Sequence, residues 1–169
     1  MKCGIIIYPS ENIQTEINNL RKRYDPEYPL IKPHITLKTR FDIDKNSLKI
    51  LIDELIELTK DIEPFKINIK KISSFKPVSN KIYFKIEQND ELEKIYNDLY
   101  KGIVPKEKFT TFVPHITIAQ NLNPDEFVDI YTSLSMQDYN FKDTINQLNI
   151  VYELTDGTWE TYKSFTFGG

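Results

Sequence analysis

The sequence predicts an α+β fold of two pseudo-twofold-related β-α-β-α-β lobes, with mainly antiparallel sheets flanking a central cleft. Three observations predict it. Apolar residues recur with period two in short runs and with period 3.6 in the runs between them. The order strand–helix–strand–helix–strand can be read twice, at an offset of about 80 residues. Within that repeat, Pro33-His34-Ile35-Thr36-Leu37 returns 81 residues later as Pro114-His115-Ile116-Thr117-Ile118.

In the first half, Cys3–Tyr8 is an apolar strand. Ser10 caps a helix with the stripe Ile13, Ile17, Leu20 and Tyr24, which Pro26 and Pro29 end. His34–Phe41 alternates as a strand. Asp44 caps a second helix with Leu48, Leu51, Ile52, Leu55 and Ile56 on one face, and Phe65, Ile67 and Ile69 alternate after Pro64. In the second half, Ile82, Phe84 and Ile86 form a strand, and Asn89 or Asp90 opens a helix bearing Leu92, Ile95, Tyr96 and Leu99. Val113–Ala119 is the equivalent alternating strand. Asn123-Pro124-Asp125-Glu126 is a capping box with Pro at the first helical position, ahead of Phe127, Ile130, Tyr131 and Leu134. Two strands close the chain, Leu148–Leu154 and Trp159–Phe167, joined by an Asp156-Gly157 turn. With no low-complexity linker, the chain reads as one domain over 1–169, its halves about 1–75 and 76–169 meeting at Ser73-Ser74-Phe75-Lys76-Pro77. A single open sheet is the alternative topology.

Composition narrows the function. At 169 residues the chain can bury a real core, and 40% hydrophobic with 28% charged residues is ordinary for a globular protein. The lone Cys3 cannot form an intramolecular disulfide. With no secretory signal pattern, this predicts a reducing, cytoplasmic setting, and no stretch approaches the length of a membrane span. Five glycines and no phosphate-loop or dinucleotide pattern predict no cofactor. A net charge of −3 argues against a general nucleic-acid-binding surface. The charge is uneven, however: residues 1–110 carry +3 and the remainder −6, so the first two-thirds is the half suited to an anion.

The chain's two histidines both lie in the repeated string. From average residue usage, a chance second match of this kind is on the order of one in a thousand. On a strand, His34 and Thr36 point one way and Ile35 and Leu37 the other; His115 and Thr117 are set against Ile116 and Ile118 likewise. Each motif is an imidazole beside a hydroxyl over an apolar anchor. Facing each other across a cleft, the pair suits phosphodiester cleavage. One neutral ring takes a proton from the attacking hydroxyl, its protonated partner supplies one to the leaving oxygen, and the hydroxyls hold the non-bridging oxygens. Two histidines without carboxylates or thiols at ligand spacing make a poor metal site. By parity, Lys38 and Arg40 continue the His34 face as candidate phosphate-binding groups, after Lys32. Phe75, Tyr83 and Phe112 are candidates to stack a base. Arg21-Lys22-Arg23 reads as a solvated helix end favoured by the helix dipole.

These motifs resemble the two-histidine (2H) phosphoesterases, marked by paired His-x-Thr/Ser motifs in pseudo-twofold lobes. Ile5-Ile6-Ile7-Tyr8-Pro9-Ser10, Arg21-Lys22-Arg23-Tyr24-Asp25-Pro26 and Phe112-Val113-Pro114-His115 are similar to the bacterial YjcG-type branch. The resemblance covers essentially the whole chain. It implies a bilobal, LigT-like fold, no metal, and hydrolysis or ligation of 2′,5′-linked or 2′,3′-cyclic phosphodiesters of a small nucleotide or RNA end. The competing reading is a binding module that senses a phosphorylated nucleotide or RNA end without turnover. The intact pair of motifs favours the enzyme, because binding alone needs cations more than two groups titrating near neutrality.

Overall fold

The computed structural model describes residues 1–107 and 111–168. Along them run β1 (Lys2–Ile7), α1 (Glu11–Tyr24), β2 (Ile35–Asp42), α2 (Lys45–Thr59), β3 (Phe65–Ser74), β4 (Ile82–Ile86), α3 (Asp90–Leu99), β5 (His115–Ala119), α4 (Pro124–Ser135), β6 (Phe141–Ile145), β7 (Gln147–Glu153) and β8 (Trp159–Thr166). The strands form two antiparallel four-stranded sheets, ordered β2-β1-β7-β8 and β5-β4-β3-β6. The α+β, two-lobed expectation holds, and the open-sheet alternative does not.

The division of the chain differs from the sequence reading. β3 follows the first half's second helix, yet it pairs with β4 and β6 in the second sheet, while β7 returns to pair with β1 in the first. The proposed boundary at Ser73–Pro77 is therefore a hairpin within one sheet; the second sheet is a continuous stretch of chain from β3 to β6, inserted between β2 and β7 of the first. β6 was missed by pattern reading because Asp143 interrupts its apolar alternation. That carboxylate is buried and satisfied, accepting hydrogen bonds from the amides of Ser10 (2.7 Å) and Thr144 (3.0 Å).

Ser10 stands at the start of α1 but its side chain makes no capping hydrogen bond, whereas α2, α3 and α4 begin where a side chain holds a free amide. Asp44 accepts from Ser47 N and Asn89 from Leu92 N, and Asn123 and Glu126 close the reciprocal capping box. In α2, Leu48, Leu51 and Leu55 are buried as expected, but Ile56 is exposed; Thr59 continues the buried face instead. The Asp156-Gly157 turn forms as read. Gly157 adopts φ +87°, and Asp156 Oδ1 accepts from the amide of Thr158 at 3.0 Å.

β2 and β5, which carry the repeated motifs, are edge strands of different sheets and lie against each other across the cleft. Both have the same irregularity. On β2, Thr36 opposes Ile6 and Lys38 opposes Ile5, so Leu37 is an extra residue; on β5, Thr117 opposes Tyr83 and Ala119 opposes Ile82, so Ile118 is extra. A bulge thus follows each threonine, re-aiming what comes after it. Ile35, Leu37, Ile116 and Ile118 pack into the hydrophobic core and anchor both edges. The Tyr100 hydroxyl donates to the bulged Leu37 carbonyl at 2.7 Å, and Glu107 Oε1 accepts from Thr39 N (2.9 Å) and Oγ1 (2.8 Å), occupying groups that the edge would otherwise leave free.

Ile35, fully buried beside His34, should be costly to truncate. Ile35→Ala is expected to lower stability by about 2–5 kcal/mol. Urea unfolding checks this, and a loss under about 1 kcal/mol would show that β2 is not anchored as described.

Candidate active site

One cleft of about 440 Å³ between the two edges is lined by His34, Thr36, His115 and Thr117 together. The local chain geometry sets both rings in the same way. His34 Nδ1 lies 2.7 Å from the Lys32 carbonyl, and His115 Nδ1 lies 2.7 Å from the Val113 carbonyl, in each case two residues back. A carbonyl can only accept, so each Nδ1 carries the hydrogen and each neutral ring has its lone pair on Nε2. The rings are near enough that a charge on His115 disfavours one on His34.

Their surroundings differ. Burial is the main cause that pushes His34 down from 6.5 to about 4; the nearby Arg21 guanidinium adds to it, while the Lys32 carbonyl and Asp25 oppose it. Burial also lowers His115, with Lys81 adding to it and the Val113 carbonyl opposing. His115 sits in an aromatic corner, its ring 4.9 Å from both Phe75 and Tyr83, which are themselves 4.4 Å apart.

Of the other expected site residues, Lys38 and Arg40 line the same cleft. The bulge takes Lys38 off the Thr36 row; it is only 5% exposed and pairs with Glu107 at 3.3 Å. Arg40 lies at the rim and pairs with Glu153 at 2.8 Å. Tyr83 is buried as a wall behind His115, whereas Phe75 is half-buried. Phe112 stacks on Tyr96 at 4.0 Å, and both border a second, more apolar compartment of about 570 Å³ beside Phe75, Val78 and Val113. Burial pushes the Cys3 thiol up to about 11, an inert core group.

Arg21 corrects the sequence reading. It is no solvated helix end: 2% exposed, it pairs with Asp25 (Nε–Oδ2, 3.3 Å) and donates to the Ile31 carbonyl (2.8 Å) and Asn18 Oδ1 (3.0 Å). Gln120, just past β5, donates to Asp25 Oδ1 at 3.0 Å. This buried network joins the end of α1, the loop leading to His34 and the strand carrying His115. The available signal was Arg21 falling on the Ile13–Ile17 stripe; Asp25 and Gln120 had none. Among the described residues there is no cluster of three or more His, Cys, Asp or Glu side chains arranged to hold a metal ion, and no helix is long and apolar enough to cross a membrane.

Two lobes presenting twin imidazole–hydroxyl strands to one cleft define the architecture of a two-histidine phosphoesterase. The chain belongs to this superfamily: the 2′-5′ RNA ligase superfamily model matches residues 9–157. Two bacterial proteins bearing the name "Putative phosphoesterase" are close in sequence. The one from Oceanobacillus iheyensis is 45% identical, covering 99% of both chains, and the one from Geobacillus kaustophilus is 42% identical, covering 100% of this chain and 98% of its own. Among solved structures, Escherichia coli LigT complexed with 3′-AMP superposes with a TM-score of 0.75 at 12% identity, over 99% of this chain and 98% of LigT. The Thermus thermophilus protein TT0787 gives 0.73 at 13% identity, over 100% and 99%. These likenesses establish the shared fold.

Two outcomes follow from the site. Between pH 6.5 and about 4 the unfolded chain binds a proton at His34 that the folded chain refuses, so stability should fall as pH drops through that window. Urea midpoints should fall more from pH 7 to pH 5 in the wild type than in His34→Asn; equal falls would reject the depressed value. Separately, Arg21→Met strands the buried Asp25 carboxylate and should cost about 3–5 kcal/mol. A thermal midpoint unchanged from the wild type would show that the network contributes nothing.

Proposed function

We propose that this chain is a metal-independent phosphodiesterase acting on 2′,3′-cyclic or 2′,5′-linked phosphodiesters of a nucleotide or RNA end. The observation that carries the reading is the matched pair of tethered imidazoles, each with a free Nε2 and a threonine two residues on, lining one cleft.

In this reading His34 and His115 share acid and base duty. One Nε2 removes the proton from the attacking water or hydroxyl. The other ring, protonated, donates its proton to the departing ribose oxygen as the P–O bond breaks. Thr36 and Thr117 donate to the non-bridging oxygens, where charge accumulates in a cleft that partly excludes water. Both rings are neutral in the free protein at pH 7. An anionic diester raises their proton affinity, so the acid is charged as substrate binds. Lys38 and Arg40 bound the substrate cleft with charges shared by Glu107 and Glu153.

The apolar compartment supports a flat, uncharged substrate group. Phe75 offers it a half-buried face, while Tyr83 backs His115 and Phe75 from below. Ligands of this kind are known for the structural neighbour: LigT has been crystallised with 3′-AMP, with ATP, with NADP+ and with phosphate. An unpaired, buried Cys3 fits work in a reducing cytoplasm.

The test is hydrolysis of nucleoside 2′,3′-cyclic phosphates and 2′,5′-linked dinucleotides in EDTA. Turnover should persist in chelator, follow a bell-shaped pH profile, and drop by about 10²–10⁴-fold in either His34→Ala or His115→Ala. Tight nucleotide binding with no turnover across the panel would instead identify a binding module.

A further inference from the structure

The cations around the cleft are not equivalent. Of the four arginine and lysine side chains that line it, Arg21 pairs with Asp25, Lys38 with Glu107 and Arg40 with Glu153. Lys81 alone has no carboxylate partner among the described residues. Thr36 and Thr117 are uncharged, so a phosphodiester entering with its single negative charge meets one uncompensated cation.

The position of Lys81 suits that charge. It directly precedes β4, where its carbonyl accepts from the Phe75 amide at 3.2 Å, fixing the mouth of the β3–β4 hairpin beside the His115 corner. Its half-buried side chain borders both the polar cleft and the apolar compartment. Among the described residues only Thr36, Thr39 and His115 share that distinction. Where the compartments meet is also where a phosphate must lie if its base occupies the apolar side while its phosphorus faces the imidazoles.

We propose that Lys81 is the cation that binds the substrate's phosphate and the charge gathering on its non-bridging oxygens in the transition state, a role resting on the phosphodiesterase reading above. Sequence parity pointed to Lys38, but there the charge is already spent on Glu107. Lys81 also opposes protonation of His115. An anion seated against Lys81 cancels that opposition, so the same contact that binds the diester readies His115 to take up a proton.

The experiment compares Lys81→Met, which keeps the aliphatic stem against the apolar compartment and removes the charge, with Lys81→Arg, which keeps the charge. The substrate is adenosine 2′,3′-cyclic phosphate, and circular dichroism verifies folding; Lys81→Gln takes the place of the Met variant should that one fail to fold. A charge-assisted contact of this kind implies a fall in kcat/KM of roughly 10–100-fold in Lys81→Met. Lys81→Arg should stay within about threefold, with inhibition by added salt weaker in Lys81→Met than in the wild type. An active wild type with unchanged kcat/KM in Lys81→Met overturns the role of Lys81 and leaves the phosphodiesterase reading intact. A wild type inactive on every diester defeats that reading instead, and calorimetry with adenosine 3′-monophosphate then decides for Lys81. Binding about tenfold weaker in Lys81→Met supports it; equal affinity, or no binding to the wild type, overturns it.

Discussion

Two hydrogen bonds of 2.7 Å govern the rest of the site: His34 Nδ1 to the Lys32 carbonyl and His115 Nδ1 to the Val113 carbonyl. Each consumes the donor side of an imidazole on the chain's own backbone and leaves a lone pair on the nitrogen facing the cleft. A histidine so tied cannot swing to solvent without giving up this hydrogen bond, a loss worth about 0.5–1.5 kcal/mol. The tether is local, spanning two residues, and it forms in both places where the string Pro-His-Ile-Thr leads into an edge strand. Duplicating the string duplicates the device, and the two sheets have only to bring their edges together.

Edge strands are a hazard elsewhere because their free amides and carbonyls invite another chain. Here they are needed. β2 and β5 lie against each other, so the two motifs meet where the edges of the two sheets come together. The bulges after Thr36 and Thr117 complete the arrangement. They let the histidine and threonine of each motif face the cleft while Ala119 turns into the core and Lys38, still lining the cleft, is drawn to Glu107. Tyr100 and Glu107 then cover part of the exposed β2 edge.

What could be read from sequence follows this division between local and distant causes. The motif, its facing and its apolar anchors depend on period-two alternation over five residues, so Ile35, Leu37, Ile116 and Ile118 were legible. The caps at Asp44 and Asn123 were legible for the same reason, being set by residues three apart. Parity led to Lys38 on the cleft that it lines, but nothing in Leu37-Lys38 marks the bulge before it or its pairing with Glu107. Arg21 was misread because its partners, Asp25, Ile31 and Gln120, are assembled by the fold; Gln120 lies 95 residues from Asp25. β3 looked like the closing strand of the first half, and only its pairing with β4 and β6 shows that it changes sheets.

The pseudo-symmetry is also incomplete in a way that bears on the proposed acid–base chemistry. Two imidazoles in identical settings would have equal proton affinities. Here the tether is the same but the surroundings diverge. His34 lies beside a buried arginine–aspartate pair, whereas His115 lies in an aromatic corner under the influence of an unpaired lysine. An arriving anion offsets the lysine's effect more than that of an arginine already neutralised by its own carboxylate. Ligand charge therefore acts unequally on the two rings, raising the proton affinity of His115 further than that of His34. The backbone repeat makes the rings equivalent in geometry, and the side chains around them make them unequal in charge, a difference that the proposed division into base and acid would use.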